Sequence, residues 1–338
     1  MKTNGGVLVT GGAGYVGSHV VRRLRASGRA VSILDDLRHG HRAAVEGVPL
    51  IRADIADTEA IARLHREHPF EAVIHMAADC LVGESMATPA DYYRRNLIAS
   101  LEMAEALRRL GVRRLVFSSS AAVYGVPSEV PIPEEHPCLP TNPYGETKLA
   151  FERALAWYRE AYGFASIALR YFNAAGAHVE GGIGEDHEPE THVIPCMLAV
   201  ALGRRARLEI HGDDYPTPDG TCVRDYVHVD DLAEAHVLAL QALEEGDPGT
   251  AYNLGSEHGH SVQEVLGAAR LVTGHPIPVA IGPRRPGDPP VLVASSRRAR
   301  ERLGWRPRTP EIDRILRSAW DWHRTRPQGY GDRPVKAG

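Results

Sequence analysis

The sequence predicts an α/β fold, a doubly wound parallel Rossmann sheet with a smaller C-terminal α/β substrate lobe. Three observations predict it. Short apolar runs alternate with longer amphipathic stretches over the first 170 residues, a glycine-spaced turn follows the first run, and an acidic pair ends the second.

Val7-Leu8-Val9, Val31-Ser32-Ile33-Leu34, Ala72-Val73-Ile74-His75, Leu115-Val116-Phe117-Ser118 and Ser166-Ile167-Ala168-Leu169 read as strands. Largely apolar runs of this length belong to a parallel sheet buried on both faces. Between them, residues 16–27, 58–67, 90–110 and 145–162 carry apolar side chains three and four positions apart, as helices crossing over a sheet require. Beyond Asn173 the pattern changes. Residues 176–189 are rich in Gly, His and acids, and 211–222 is a polar loop with two prolines, so both read as site-forming segments. Residues 193–203, 261–273 and 311–323 read as helices of the smaller lobe. The Rossmann domain is placed at 1–175, with 226–255 and its helix 230–243 returning to it. The lobe is placed at 176–225 and 256–330.

The composition removes several classes of function. The 338 residues are 43% hydrophobic and 24% charged, and no run approaches the roughly 18 apolar residues of a membrane span. The chain enters Val7-Leu8-Val9 at once, leaving no room for a signal peptide, so a cytoplasmic protein is expected. Cys80, Cys138, Cys196 and Cys222 are far apart and lack any C-x-x-C pair or zinc spacing; reduced thiols and no bound metal are expected. A formal net charge of -4 leaves no nucleic-acid footprint, so an anionic ligand must be held by local arginines. Of 39 basic residues only Lys2, Lys148 and Lys336 are lysines. Exposed salt bridges work about equally well with either cation, so the one internal lysine points to a role that arginine does not fill.

Thr10-Gly11-Gly12-Ala13-Gly14-Tyr15-Val16-Gly17 follows the first strand and opens a helix. Gly11, Gly14 and Gly17 allow a tight turn, a close approach of backbone N–H groups to a pyrophosphate, and close helix packing. The second strand ends at Asp35-Asp36, where a carboxylate accepts from both hydroxyls of an adenosine ribose and repels a 2′-phosphate, which favours NAD over NADP. Asp54-Ile55 either meets the adenine or, through Asp54, caps the next helix.

Tyr144 and Lys148 stand at i and i+4 on a helix, hence on one face. A phenol with an ordinary pKa near 10 is a poor base at neutral pH, and an ammonium about 4–6 Å away favours its ionised form. Ser120 closes Ser118-Ser119-Ser120 at the carboxyl edge of the sheet, where it can hydrogen-bond the reacting oxygen.

With these residues in place the chain resembles the extended short-chain dehydrogenase/reductase family, in its nucleotide-sugar 4-epimerase branch. The resemblance runs from Val7 to about Tyr330. Further matching segments are Gly83-Glu84-Ser85, Arg170-Tyr171-Phe172-Asn173, Gly184-Glu185-Asp186, Gly212 to Thr221, Val223-Arg224-Asp225-Tyr226-Val227-His228-Val229, Tyr252-Asn253-Leu254-Gly255 and Arg284-Arg285-Pro286-Gly287-Asp288. It implies Tyr144 as the acid/base supported by Lys148 and Ser120. It implies NAD contacts from Tyr15, Val16, Asp35, Asp54, Ile55, Met76, Ala77, Ala78, Asn96 and Phe172. It implies UDP-sugar contacts from Asn173, Arg224, Arg285 and Asp288, which suits a diphosphate that needs guanidinium partners.

Several positions depart from the branch. Asp79-Cys80-Leu81 stands where many members carry a lysine near the cofactor phosphates, which predicts weaker NAD retention. His192 and His211 replace the Asn and Phe often found near the uridine, and Leu292 occupies the position of the sugar-size filter.

The implied reaction interconverts UDP-galactose and UDP-glucose. Tyr144 takes the 4-hydroxyl proton while C4 gives its hydride to NAD, the 4-keto sugar turns, and both are returned to its other face. Rival readings are epimerisation of a pentose, uronate or N-acetylated UDP-sugar, dehydration, and a non-catalytic NAD sensor. Dehydration needs an Asp-Glu pair after the site serine, where this chain has Ala121-Ala122. A sensor needs no Tyr/Ser/Lys set. The resemblance also implies a homodimer joined through the helices at 90–110 and 145–162.

Overall fold

The computed structural model of the chain describes residues 5–247, 249–285 and 288–332. Lys2, Lys336 and the Pro286-Gly287 pair lie outside the described residues. The strands are β1 (Val7–Thr10), β2 (Val31–Asp35), β3 (Leu50–Arg52), β4 (Ala72–His75), β5 (Arg114–Ser120), β6 (Ala165–Tyr171), β7 (Asn173–Ala175), β8 (Leu208–His211), β9 (Val223–His228), β10 (Ala251–Leu254), β11 (Gly259–Ser261), β12 (Val279–Gly282) and β13 (Val291–Leu292). The helices are α1 (Tyr15–Ala26), α2 (Thr58–Glu67), α3 (Val82–Ala87), α4 (Pro89–Tyr92), α5 (Ala99–Arg109), α6 (Pro143–Tyr162), α7 (Val193–Ala201), α8 (Val229–Glu244), α9 (Val262–Thr273), α10 (Arg297–Arg302) and α11 (Ile312–Thr325).

β1, β2 and β4 are buried along their whole length, as their apolar runs require. They belong to a 7-stranded sheet ordered β10-β6-β5-β4-β1-β2-β3, with every neighbouring pair parallel. One face is covered by α1 and α8 through Val20, Leu24, Leu232 and Leu240, with Trp305 against them. The other is covered by α2, α5 and α6 through Ile61, Leu64, Met103, Leu107, Phe151 and Leu155. From β1 the chain winds outward to β3 and then returns to the other side of β1 as β4. The strand order therefore reverses between β1 and β4, and a crevice opens at their carboxyl ends, where ligands of such sheets bind.

Two sheet members fall outside the predicted apolar runs. β3 lies at the sheet edge with Arg52 exposed, so it carries no continuous apolar signal. β10 pairs with β6 at the opposite edge. The expected single helix over 90–110 is α4, a π-helical stretch at Tyr93–Ile98 and α5. The wider turn accommodates Asn96, which is buried and donates from Nδ2 to the Asp79 carbonyl at 2.8 Å while its Oδ1 accepts from Asp79 N at 2.9 Å.

The smaller unit packs α7, α9 and α11 together through Met197, Leu198, Leu266 and Leu316. Beside them, β9 pairs antiparallel with β11 and parallel with β7 and β13, and β8 pairs with β12.

Candidate active site

The turn between β1 and α1 is built for close approach. Gly11 has φ +69°, and a Cβ there would fall 2.5 Å from the Ala77 amide nitrogen; a Cβ on Gly17 would fall 2.1 Å from the Gly11 carbonyl oxygen. Backbone from β1, α1 and the segment after β4 (Met76, Ala77 and Ala78) thus converges at the crevice. Gly14 caps α1 without any side-chain bond, so the first N–H groups of the helix remain for an anionic group. Asp35 closes the cradle. It is buried, its Oδ2 accepts from Ala13 N at 2.9 Å and its Oδ1 from Leu37 N at 2.9 Å, and burial raises its carboxyl pKa. This glycine cradle with a carboxylate at the end of β2 fits the ribose and pyrophosphate of a dinucleotide.

The two other acids singled out beside it have local tasks. Asp36 accepts from Arg38 N at 3.0 Å and pairs with the Arg38 guanidinium, so Asp35 alone holds the glycine turn. Asp54 is exposed and accepts from Ala56 N at 2.9 Å, a short Asx turn. Its alternative role as a helix cap is overturned: Asp57 caps α2, accepting from Ala60 N at 2.9 Å. Ile55, next to Asp54, is buried.

Tyr144 owes its position to the start of α6. Asn142 is the N-cap and accepts from Gly145 N at 2.8 Å, and Pro143 fills the first helical position, so Tyr144 sits in the first turn. Lys148 lies one turn on, buried, with Nζ 5.8 Å from the centre of the Tyr144 ring and 4.9 Å from that of Phe117. It donates to the Ser118 carbonyl at 2.9 Å. Ser120 ends β5 and its Oγ accepts from Ala122 N at 3.1 Å.

Electrostatics in this corner depart from the expectation that Lys148 is the main support of a phenolate. Burial raises the Tyr144 phenol well above 10, the Cys80 thiol and Tyr171 push the same way, and a hydrogen bond with Ser120 opposes them. Burial also pulls the Lys148 ammonium down to about 8. Desolvation disfavours both charged forms, and at this distance it outweighs their attraction.

The substrate candidates fall into two groups. Arg224 on β9 lies beside Leu292 on β13, and its Nη2 is 3.2 Å from the Asp288 carboxylate. Asp288 N donates to the Arg285 carbonyl at 3.3 Å, and Arg285 itself is exposed. Asn173 starts β7, next to Tyr226 on the same β9 strand. Leu292 packs on the cluster of Phe172, Tyr124 and Val123. The second group lies beyond α7 and β8: His192 is the N-cap residue of α7 with Nδ1 2.6 Å from Glu185 Oε1, and His211 ends β8 opposite Gly282.

Sequence reasoning did not single out a buried network behind Ser120. Ser119 donates to Glu152, which pairs with Arg170 at 2.5 Å; Arg170 Nη1 donates to Tyr124 OH at 2.9 Å, and Tyr124 donates to Asn253 Oδ1 at 2.7 Å. It ties α6 to the ends of β5, β6 and β10. The available signal was Arg170, a charge at the end of an apolar strand, which must be paired when buried.

Residues 7–255 match the NAD dependent epimerase/dehydratase family. The chain is 51% identical over 328 residues to the UDP-glucose 4-epimerase of Lacticaseibacillus casei, covering 97% of this chain and 99% of that protein. It is 50% identical over 324 residues to that of Halalkalibacterium halodurans, covering 96% and 97%. Among solved structures, the UDP-glucose 4-epimerase from Brucella ovis in complex with NAD is similar with a TM-score of 0.91 at 46% identity, covering 94% of this chain and 98% of that one. The enzyme from Bifidobacterium longum in complex with NAD+ and UDP is similar with a TM-score of 0.91 at 39% identity, covering 96% and 99%.

Proposed function

The chain belongs to the NAD dependent epimerase/dehydratase family, and from that premise we propose that it interconverts UDP-galactose and UDP-glucose. The observation that carries this reading is the corner where Tyr144, Ser120 and Lys148 meet at the carboxyl edge of the sheet that bears the glycine cradle. Gly11, Gly14, Tyr15, Val16, Gly17 and Asp35 would hold NAD, which when bound would supply the hydride acceptor and donor for sugar C4. Met76 and Ala77, whose backbone closes on Gly11, would line its crevice together with Ala78 and Phe172.

Tyr144 removes the 4-hydroxyl proton through its phenolic oxygen and returns it after the sugar has turned. Ser120 hydrogen-bonds the same sugar oxygen, and Lys148 adds positive charge behind the ring and holds the end of β5. Burial holds the phenol above 10 with the Ser120 hydrogen bond opposing it, so the positive charge that oxidised NAD would bring when bound would lower it further. Arg224 and Arg285 bind the diphosphate, and Asn173 and Asp288 take hydroxyl contacts. Leu292, an apolar side chain beside Arg224, leaves the hexose free to rotate while the nucleotide stays held.

The Rossmann part (1–175, with 226–255) serves the cofactor, and the lobe (176–225 and 256–330) serves the nucleotide sugar. A homodimer joined through the helices at 90–110 and 145–162 is part of this reading, supported by the exposed apolar side chains of Ile98 and Trp157. A monomeric mass at micromolar concentration would remove that part of the reading. The four described cysteines are free, in keeping with action in the cytoplasm. The test is to incubate the NAD-loaded protein with UDP-galactose. Accumulation of UDP-glucose is expected, and unchanged sugar would overturn the reading.

A further inference from the structure

The loop before α7 gathers four side chains capable of binding a metal. His192 Nδ1 lies 2.6 Å from Glu185 Oε1 and 3.5 Å from Glu190 Oε1, while His187 Nδ1 lies 3.2 Å from the same Glu185 oxygen and 3.7 Å from Glu190 Oε2. One ligand atom from each residue falls within 4.8 Å of all the others. Zinc bonds of about 2.0–2.2 Å in tetrahedral geometry put ligand atoms about 3.3–3.6 Å apart; the 3.2, 3.5 and 3.7 Å separations lie near that edge, and the 2.6 Å hydrogen bond between His192 and Glu185 would open when an ion enters. His187 Nδ1 supplies an independent sign. That nitrogen is buried and, although 3.2 Å from Glu185 Oε1, makes no well-aligned hydrogen bond.

We propose that Glu185, His187, Glu190 and His192 form a binding site for a divalent transition-metal ion of the zinc class. As metal ligands the two imidazoles would be neutral, so that with the two carboxylates they would carry a charge of about -2, which a divalent ion balances. The imidazoles select against magnesium and calcium, which take oxygen ligands. Supporting contacts are present: His192 N donates to Glu190 Oε1 at 2.8 Å, Trp322 Nε1 donates to the Glu185 carbonyl at 2.9 Å, and the Tyr15 ring stands edge-on to His187 at 6.1 Å. Tyr15 begins α1 and donates to the Gly176 carbonyl at 2.6 Å, so an ion here fixes the loop that joins the cofactor cradle to α7. The His/Glu pattern at 185–192 runs against the absence of bound metal that the cysteine spacing predicts.

The site does not depend on the catalytic reading, and its test reads the metal directly. NAD-loaded protein is stripped with a chelator, dialysed and titrated with Co2+, whose visible absorption reports four-coordinate binding. The expected result is one Co2+ per chain, displaced by one Zn2+, with affinity lowered about tenfold or more in His187→Ala and in Glu190→Gln. Substoichiometric uptake without the visible band, or full uptake by both variants, would overturn the proposal. Melting supplies a second reading on the unaltered chain: Zn2+ raises the melting temperature of the stripped protein, and no rise would contradict the site.

Discussion

The Lys148 ammonium gives its hydrogen bond to the Ser118 carbonyl at 2.9 Å and stands 5.8 Å from the centre of the Tyr144 ring. Lysine thus braces the end of β5 and acts on the phenol only at a distance. Tyr144→Phe removes the group that carries the proton without disturbing the glycine cradle. Its kcat falls by roughly 10²-fold or more while bound NAD per chain is unchanged. Turnover near that of the parent would remove Tyr144 from its role.

Lys148 also sets a pH limit. With its ammonium pulled down to about 8 by burial, the positive charge behind Tyr144 is lost as pH rises through that value. The kcat/KM profile has an alkaline limb near pH 8, and Lys148→Ala lowers activity and abolishes that limb. An unchanged limb in the variant would assign it to another group.

Cofactor retention rests on Asp35, which also fixes Ala13 and Leu37 through its two oxygens. Asp35→Ala therefore loosens the cradle and deletes the ribose acceptor, and the protein is purified with less NAD per chain. Cys80→Lys works in the opposite direction, adding a cation next to the phosphates and increasing NAD retention. Equal NAD content in parent and variants would contradict both roles.

Diphosphate binding is assigned to Arg224, whose guanidinium is 3.2 Å from Asp288. A charge-assisted hydrogen bond contributes about 1.5–3 kcal/mol, so Arg224→Ala raises KM for the UDP-sugar by roughly 10–100-fold with a smaller change in kcat. A loss confined to kcat would place Arg224 at the reacting centre.

Three buried histidines govern acid stability. Burial lowers His75 to about 3 and His19 and His236 to about 4. Each is depressed in the folded state, so its contribution is present above the unfolded value near 6.5 and is lost as pH falls toward 3–4. Asp225 opposes this. Raised to about 6 by burial, it favours folding as pH falls from 6 toward 4. The histidine contribution begins to fall at pH 6.5, above the range in which Asp225 acts, so the melting temperature falls as pH drops from 6.5 toward 6. His236→Gln gives a shallower fall; an identical slope would locate the acid sensitivity elsewhere.

Much of this was legible in the sequence because the signals are local. Apolar runs gave β1, β2, β4, β5 and β6, and the glycine spacing with Asp35 gave the cradle. The i,i+4 pair placed Tyr144 and Lys148 on one helix face. The rest depended on partners distant in the chain. β3 is a half-exposed edge, and the Glu152–Arg170–Tyr124–Asn253 network joins residues 18, 46 and 129 positions apart. The balance between Lys148 and Tyr144 follows from burial, which spacing does not reveal.

C4 inversion by removal and return of the same hydride requires that the sugar stay bound throughout. The most direct measurement incubates the purified protein with UDP-galactose in D2O, with no cofactor added, and follows the sugar by proton NMR. Internal return of the hydride yields UDP-glucose that keeps protium at C4. Deuterium at C4 would show inversion through solvent exchange, and absence of UDP-glucose even after NAD is added would remove the activity; either result contradicts the account.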